Sequence, residues 1–406
     1  QDWMFLAALW ATATAVNLTK AFHIDDTAHL EIAQWITDHP WRPMSGLLNW
    51  DDSAEPIFVT NQPHLYFYAM ALVGALFGFA EVPMHLLLAV FTLWAIVAMH
   101  ALALRFAPDR ARLLTFCVAI SPGLLVNQNT MVDVPLLALL LSAVLGATAA
   151  RPVGAFALLG LAVLTKYSSL FAYPALLWAG AVRRGWRTAA AACLPLLAIL
   201  AWSAFNIADV GAAHIAHRPG AAAGLSEGAG RWLDLVESFG VFTLPVGLLV
   251  LARTSGARRV ALTGAGLALG ALAGHAAAGT EAVTAWLPIN LLLTASVGVV
   301  GMAALLRCAA GFGAVLAAPQ PWRALLAAER ESAIGTLALW LGGGCLFILL
   351  FAPFSASRHA LLLVPPLFLL ACQGLPAPRA ARPGGWAMAG LGVYAAAALV
   401  VAMADR

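Results

Sequence analysis

Asp25 and Asp26 stand side by side just past the first apolar run of the chain, while Lys166 and Arg358 each stand alone at the edge of another. Asp133 opens a further run, in NQNTMVDVP. Each has a modest reading taken singly. Adjacent acids suit a helix N-cap, Pro135 after Asp133 marks a helix start, and a lone cation at a helix end can snorkel to the interface. Taken together they set two or three carboxylates and two isolated cations at one level. That inventory suits transfer of a group from a lipid phosphate. The departing phosphate gains charge, which a fixed Lys or Arg stabilises. The attacking hydroxyl needs a base, which an Asp supplies. Phosphate leaves without a strong general acid, unlike the two-carboxylate scheme of sugar hydrolysis.

The elements that must carry these groups are membrane helices. Of 406 residues, 62% are hydrophobic and 10% charged, with a mean hydropathy of +0.87, far from the composition of soluble domains. The apolar runs are continuous rather than alternating, so helices are expected and a β-barrel is not. The expected architecture is an all-α polytopic membrane protein with thirteen spans near 3–19, 84–104, 113–127, 133–150, 153–166, 168–182, 188–206, 239–252, 260–278, 283–306, 333–352, 359–373 and 386–403. Residues 3–18 read as a membrane anchor rather than a cleaved signal. A single domain over 1–406 is expected, with a first outer loop over 20–83 and a second over 207–238.

Residues 64–80 are long enough to span, yet charge sidedness argues against it. If this segment lies along the interface, the arginines at 105, 110, 112, 151, 183, 184, 187, 253, 258, 259, 307, 323, 330, 379 and 382 all fall on one side, expected to be cytoplasmic. Most of the acids then face outward, with Lys166 and Arg358 among a few cations. In the first outer loop AHLEIAQWI sets Ala28, Ile32, Trp35 and Ile36 on one helical face, the pattern of an interfacial helix that Pro40 and Pro43 end. Nucleic-acid binding is not expected, because no basic stripe is present. Five scattered cysteines without a CxxC argue against a disulfide framework or a zinc site.

Five stretches carry a resemblance: FHIDDTAHLEIAQWI, NQPHLYFYAMALVGALFG, SPGLLVNQNTMVDVPLLALLL, GLAVLTKYSSLFAYPALL and SRHALLLVPPLFLLA. In order and spacing, from residue 22 to about 372, they resemble the protein O-mannosyltransferase and lipid A aminoarabinose transferase family of GT-C glycosyltransferases, which use polyprenyl-phosphate sugars. The resemblance implies a GT-C-like fold with juxtamembrane helices in the first outer loop. It implies a sugar transferase of a plasma membrane (the inner membrane of a bacterium) with its active face outward. Its partners would be a polyprenyl-phosphate-linked sugar donor, a lipid, glycan or protein acceptor, and membrane lipids. By the same resemblance Asp25 matches the catalytic acid and Asp26 its acidic neighbour, Asp133 matches an acid of the second outer loop, and Lys166 and Arg358 match cations that meet the lipid phosphate. The chain departs from the pattern at Asn61-Gln62-Pro63-His64 and at His359, where a Tyr is common. His64 and His359 are therefore counted with the substrate-binding residues.

His214 and His217 form H-x-x-H near Asp209 and Glu227, and His29 lies one turn after Asp25. Such groups can hold a divalent metal, but two loop histidines are more often plain polar residues. No metal and no cofactor are expected. Two rival readings are a transporter, for which related halves are missing, and a non-catalytic subunit that keeps the fold.

Overall fold

The computed structural model describes residues 2–49, 53–60, 62–217, 225–277, 287–352, 356–376 and 385–405. Asn61, and residues 218–224 of the second expected outer loop, lie outside them. The described residues form α1 (Asp2–Asn17), α2 (Ile24–Asp38), β1 (Leu47–Asn49), β2 (Ala54–Pro56), α3 (Ile57–Thr60), α4 (Leu65–Phe77), α5 (Glu81–Phe106), α6 (Ala111–Ala119), α7 (Pro122–Val126), α8 (Asp133–Thr148), α9 (Pro152–Thr165), α10 (Tyr173–Arg184), α11 (Trp186–Val210), α12 (His214–His217), α13 (Leu225–Arg253), α14 (Gly256–Ala277), α15 (Leu287–Leu316), α16 (Pro321–Ser332), α17 (Ile334–Phe351), α18 (Ser357–Leu361), α19 (Val364–Gln373) and α20 (Gly385–Ala404). Among the described residues five helical stretches are long and apolar enough to cross a membrane: Glu81–Phe106, Trp186–Val210, Arg231–Arg253, Pro288–Leu316 and Ile334–Phe351. The chain is a multi-pass membrane protein.

Residue 278 and residues 283–286 of two expected spans lie outside the described residues; the described parts of the expected spans are largely helical, and three are broken where proline stands. The run over 113–127 splits into α6 and α7 at Ser121-Pro122, and 359–373 splits into α18 and α19 ahead of Pro365-Pro366. The run over 168–182 opens as a 3-10 segment, Tyr167–Ala172, and becomes α-helical only at Tyr173-Pro174. Proline has no N–H to donate and its ring crowds the carbonyl four residues back, so a helix restarts there. Part of the second expected outer loop is helical, since α11 runs to Val210 and α13 begins at Leu225.

By contacts the chain divides into two compact units. The first is Gln1–Ala98, Leu125–Gly220 and Val401–Arg406. Its centre is α8, buried nearly all round, as its unbroken apolar sequence requires. α9 packs on α8 and α11 on α9. α2 carries two acids in its first turn, which suits the helix dipole. It buries Ala28, Ile32, Ala33 and Ile36 against Tyr66, Phe67, Met70 and Ala71 of α4. α4 has 13 residues, about 20 Å of helix at 1.5 Å per residue, shorter than a hydrocarbon core of about 30 Å, as are the apolar helices α8, α9 and α19. It ends at Gly78, whose φ of 87° suits glycine. Between α2 and α4 the chain makes an antiparallel hairpin, Leu48 paired with Glu55, whose inward Leu48 is fully buried. The sequence carries no strand signal there.

The second unit is Met99–Leu124 and Ala221–Val400. α15 packs on both α13 and α14, and small residues let the backbones close. A Cβ on Gly298 would lie 2.6 Å from the Ala265 carbonyl oxygen, and one on Gly266 2.9 Å from that of Ala295. This is the close approach typical of membrane helix pairs. Tyr394 Oη donates to the Val241 carbonyl (2.8 Å), tying α20 to α13. At the N-terminus of α17 the buried carboxylate of Glu329 accepts from the Gly335 amide (2.8 Å) and the Thr336 hydroxyl, an anion held where free amides point.

Candidate functional site

Asp25 and Asp26 are adjacent in sequence and differ in surroundings. Asp26 is fully buried. Its Oδ2 accepts the His23 amide (2.9 Å) and its Oδ1 the Thr130 hydroxyl (2.8 Å). It closes the first turn of α2 and fastens it to the segment before α8. Asp25, one residue earlier, is half-buried. Asp26 is thus committed to structure, whereas Asp25 is the more exposed of the pair.

Thr130 makes a second tie. Its carbonyl oxygen lies 3.3 Å from His29 Nδ1, one turn along α2. His29 is buried over the Phe67 ring, centroids 4.9 Å apart. Burial pushes its imidazole below the usual range although Asp26, Asp25 and Asp133 all pull it upward. These interactions place His29 within electrostatic reach of every candidate acid.

Asp133 and Lys166 are 33 positions apart in the sequence and in contact. Lys166 Nζ donates to Asp133 Oδ1 at 2.8 Å, with side-chain exposures of 14% and 2%. The local fold explains the meeting. α8 starts at Asp133 and runs away, and α9 returns and ends at Thr165, leaving Lys166 extended in the break before Tyr167 (φ −159°, ψ 119°). An ammonium has three donors, and the bond to Asp133 uses one and fixes the direction of the group.

The next residue joins the site to α12. Tyr167 Oη and His214 Nδ1 are 3.1 Å apart, and His214 is buried against Phe58. The C-terminal turn of α11 is held close by, since Asp209 Oδ2 accepts the Met44 amide (2.8 Å). His64, just before α4, is fully buried between Phe67 and Trp202, ring centroids 5.3 and 5.8 Å away. Burial holds its imidazole well below the usual range, with His214 and His29 pushing the same way. Lys20 is a further buried cation of this unit. Its Nζ donates to the Val126 carbonyl (2.8 Å) and pairs with Asp405 past the end of α20.

The structure therefore brings Asp25, Asp26, His64, Asp133 and Lys166 to one end of the first unit. Arg358 and His359 lie in the second unit, half-buried on α18. Among the described residues no three His, Cys, Asp or Glu side chains are grouped as metal ligands.

No family model matches the chain and no curated protein matches its sequence. The chain is similar to the crystal structure of ArnT from Cupriavidus metallidurans bound to undecaprenyl phosphate, with TM-score 0.46 and 14% identity, over 97% of this chain and 77% of that one. It is similar also to the same organism's ArnT in the apo state, with TM-score 0.45 and 16% identity, over 92% and 76%.

Sequence reasoning passed over Thr130, Tyr167 and Trp202. Thr130 lies inside NQNTMVDVP, but nothing in that string shows which of its polar residues turns toward Asp26.

Proposed function

We propose that the protein is a membrane glycosyltransferase that moves a sugar from a polyprenyl-phosphate carrier to an acceptor hydroxyl, with its site on the outer face of the membrane. One observation carries the reading: a half-buried acid, Asp25, stands beside a locked one, at the same end of the unit as an ammonium aimed by a buried acid. The acceptor oxygen attacks the anomeric carbon, and the bond from that carbon to the phosphate oxygen breaks. Asp25 takes the acceptor's proton as the bond forms. The carrier phosphate leaves with the extra negative charge, which Lys166 stabilises through the donors that Asp133 does not use. Asp133 orients Lys166, and Asp26 holds Asp25 in register.

The test is transfer of radiolabelled sugar from polyprenyl-phosphate carriers in membranes that contain the protein. Transfer that disappears in Asp25→Asn supports the reading. Absence of transfer with every carrier offered, by protein shown to be folded, favours a non-catalytic subunit instead.

A further inference from the structure

Within the second unit, three arginines from separate elements converge on the C-terminal end of α19. Arg258, in the first turn of α14, donates from Nη1 to the Gly374 carbonyl (2.9 Å). Arg110, one residue before α6, donates from Nη2 to the Leu375 carbonyl (3.4 Å) and to that of Pro376. Arg307, on α15, runs past the same place. A Cβ on Gly374 would lie 3.1 Å from Arg258 Nη2 and 3.3 Å from Arg307 Cδ. Arg253 lies within electrostatic reach of Arg110 and adds to the positive field. The acids within reach are Asp109, beside Arg110, and Glu331, near Arg307. Among the described residues no carboxylate forms an ion pair with Arg110, Arg258 or Arg307.

Helix capping accounts for part of this arrangement. The last carbonyls of α19 need donors, and cations suit a helix C-terminus. Capping leaves the charge unmet, because a helix end carries only about 0.5 of an elementary charge against three guanidiniums. It also leaves Arg307, which is half-buried and donates no hydrogen bond among the described residues. Arg110 is 8% exposed, and a charge withdrawn from water needs an opposite one. A guanidinium has five N–H donors in a planar fork, and most of those in the set are not bonded within the described residues. Free donors and unmet positive charge call for an anion, and the forks fit the paired oxygens of a phosphate. The position selects its source. α14 and α6 begin here and α19 ends here, so the half-buried Arg258 and Arg307 stand at the ends of apolar helices, at headgroup level. The arginine distribution of the sequence puts them on the expected cytoplasmic side, where the leaflet is anionic.

We propose that Arg110, Arg258 and Arg307 form a binding site for the headgroup phosphate of an anionic phospholipid. Arg258 and Arg307, the more exposed two, take the phosphate oxygens, and the buried Arg110 adds field rather than contact. The lipid supplies the missing negative charge and ties α14 and α15 to the end of α19. The proposal does not rest on the transferase reading: none of these residues has a part in it, and the test needs no sugar.

The test uses the full chain in nanodiscs of phosphatidylcholine, alone or with added phosphatidylglycerol. Retained lipid is read by native mass spectrometry and stability by thermal unfolding. The wild type is expected to retain phosphatidylglycerol in preference to phosphatidylcholine and to unfold at a higher temperature when it is present. Arg307→Gln should weaken retention about fivefold, and Arg258→Gln with Arg307→Gln about thirtyfold, as the loss of one and two basic groups at a membrane surface gives. The double variant should also lose the gain in unfolding midpoint. In phosphatidylcholine alone Arg307→Gln should unfold at or above the wild-type temperature, since it breaks no described bond and removes a like charge. A midpoint lowered there would show that Arg307 merely supports the fold, and would overturn the site. Arg187→Gln and Arg323→Gln, at exposed positions, should retain the lipid as the wild type does. Equal loss in these two would reduce the effect to diffuse surface attraction and overturn the site, as would undiminished retention by the double variant. Inorganic phosphate that gives the wild type the same midpoint gain in phosphatidylcholine would assign the arginines to a soluble anion and overturn the lipid.

Discussion

Asp25→Asn and Asp26→Asn replace neighbouring residues with the same isostere, and the structure gives them opposite consequences. Asp26 is fully buried and receives two hydrogen bonds, from the His23 amide and the Thr130 hydroxyl. Asparagine keeps one acceptor oxygen for the His23 amide. Its Nδ2 then faces Thr130, whose hydroxyl must rotate to accept. Both bonds survive without charge assistance, a loss of about 1 kcal/mol each from the difference between charged and neutral hydrogen bonds. Removing an anion from the first turn of α2 costs about 0.5 kcal/mol more. Asp26→Asn should therefore destabilise the protein by about 2–3 kcal/mol and lower the thermal unfolding midpoint by several degrees. Turnover per folded molecule should stay within about tenfold, since the Asp25 carboxylate remains. Asp25→Asn should leave the midpoint near wild type and reduce sugar transfer by roughly 10²–10⁴-fold, the usual contribution of a positioned base. The assay pairs unfolding followed by tryptophan fluorescence in detergent with transfer from a radiolabelled carrier, normalised to folded protein. An Asp25→Asn variant with near-wild-type transfer would refute Asp25 as the base. If Asp26→Asn were instead the stable, inactive variant, the division of labour argued here would be reversed.

Three further outcomes can be checked. Lys166→Met leaves Asp133 buried without its partner and should cost about 3–5 kcal/mol of stability, whereas Lys166→Met with Asp133→Leu should recover most of it and still fail to bind carrier. The imidazoles of His29 and His64 are both depressed by burial, so the unfolded chain binds protons first as pH falls through the ordinary value of 6.5. Stability should be flat above neutrality and decline below it, and His64→Phe should make the decline shallower. A cysteine at position 109, past the end of α5, should resist an impermeant maleimide in intact cells if α4 does not span, and labelling there would overturn the proposed sidedness.

The fold was legible where a long apolar run had only one way to be satisfied. A continuous helix meets all its own backbone hydrogen bonds in lipid, so composition and run length were enough to place helix over most of the described apolar runs. Breaks within runs were less legible, although Pro122, Pro174 and Pro365-Pro366 each stand where one occurs. A proline marks that a helix can stop, but the position of the restart depends on which residues find burial on either side. The short hairpin pairing Leu48 with Glu55 had no sequence signal, because three-residue strands are set by the core beneath them.

The sequence by itself determined the class of the protein, a many-helix membrane protein, and the inventory of its chemistry: the Asp pair, Asp133, the lone cations and the off-pattern His64. Residue type and hydropathy are local quantities, and reading them needs no partner. Only the tertiary structure decided what each group is for. It showed that Asp26 is spent on the Thr130 hydroxyl while Asp25 is only half-buried, and that Asp133 holds Lys166. The hydrogen bonds from Thr130 to Asp26 and from Lys166 to Asp133 span 104 and 33 positions. Whether a buried polar group is a cap, a clamp or a ligand depends on its neighbours in space, and helices returning through a bundle choose those neighbours by packing, which no local pattern encodes.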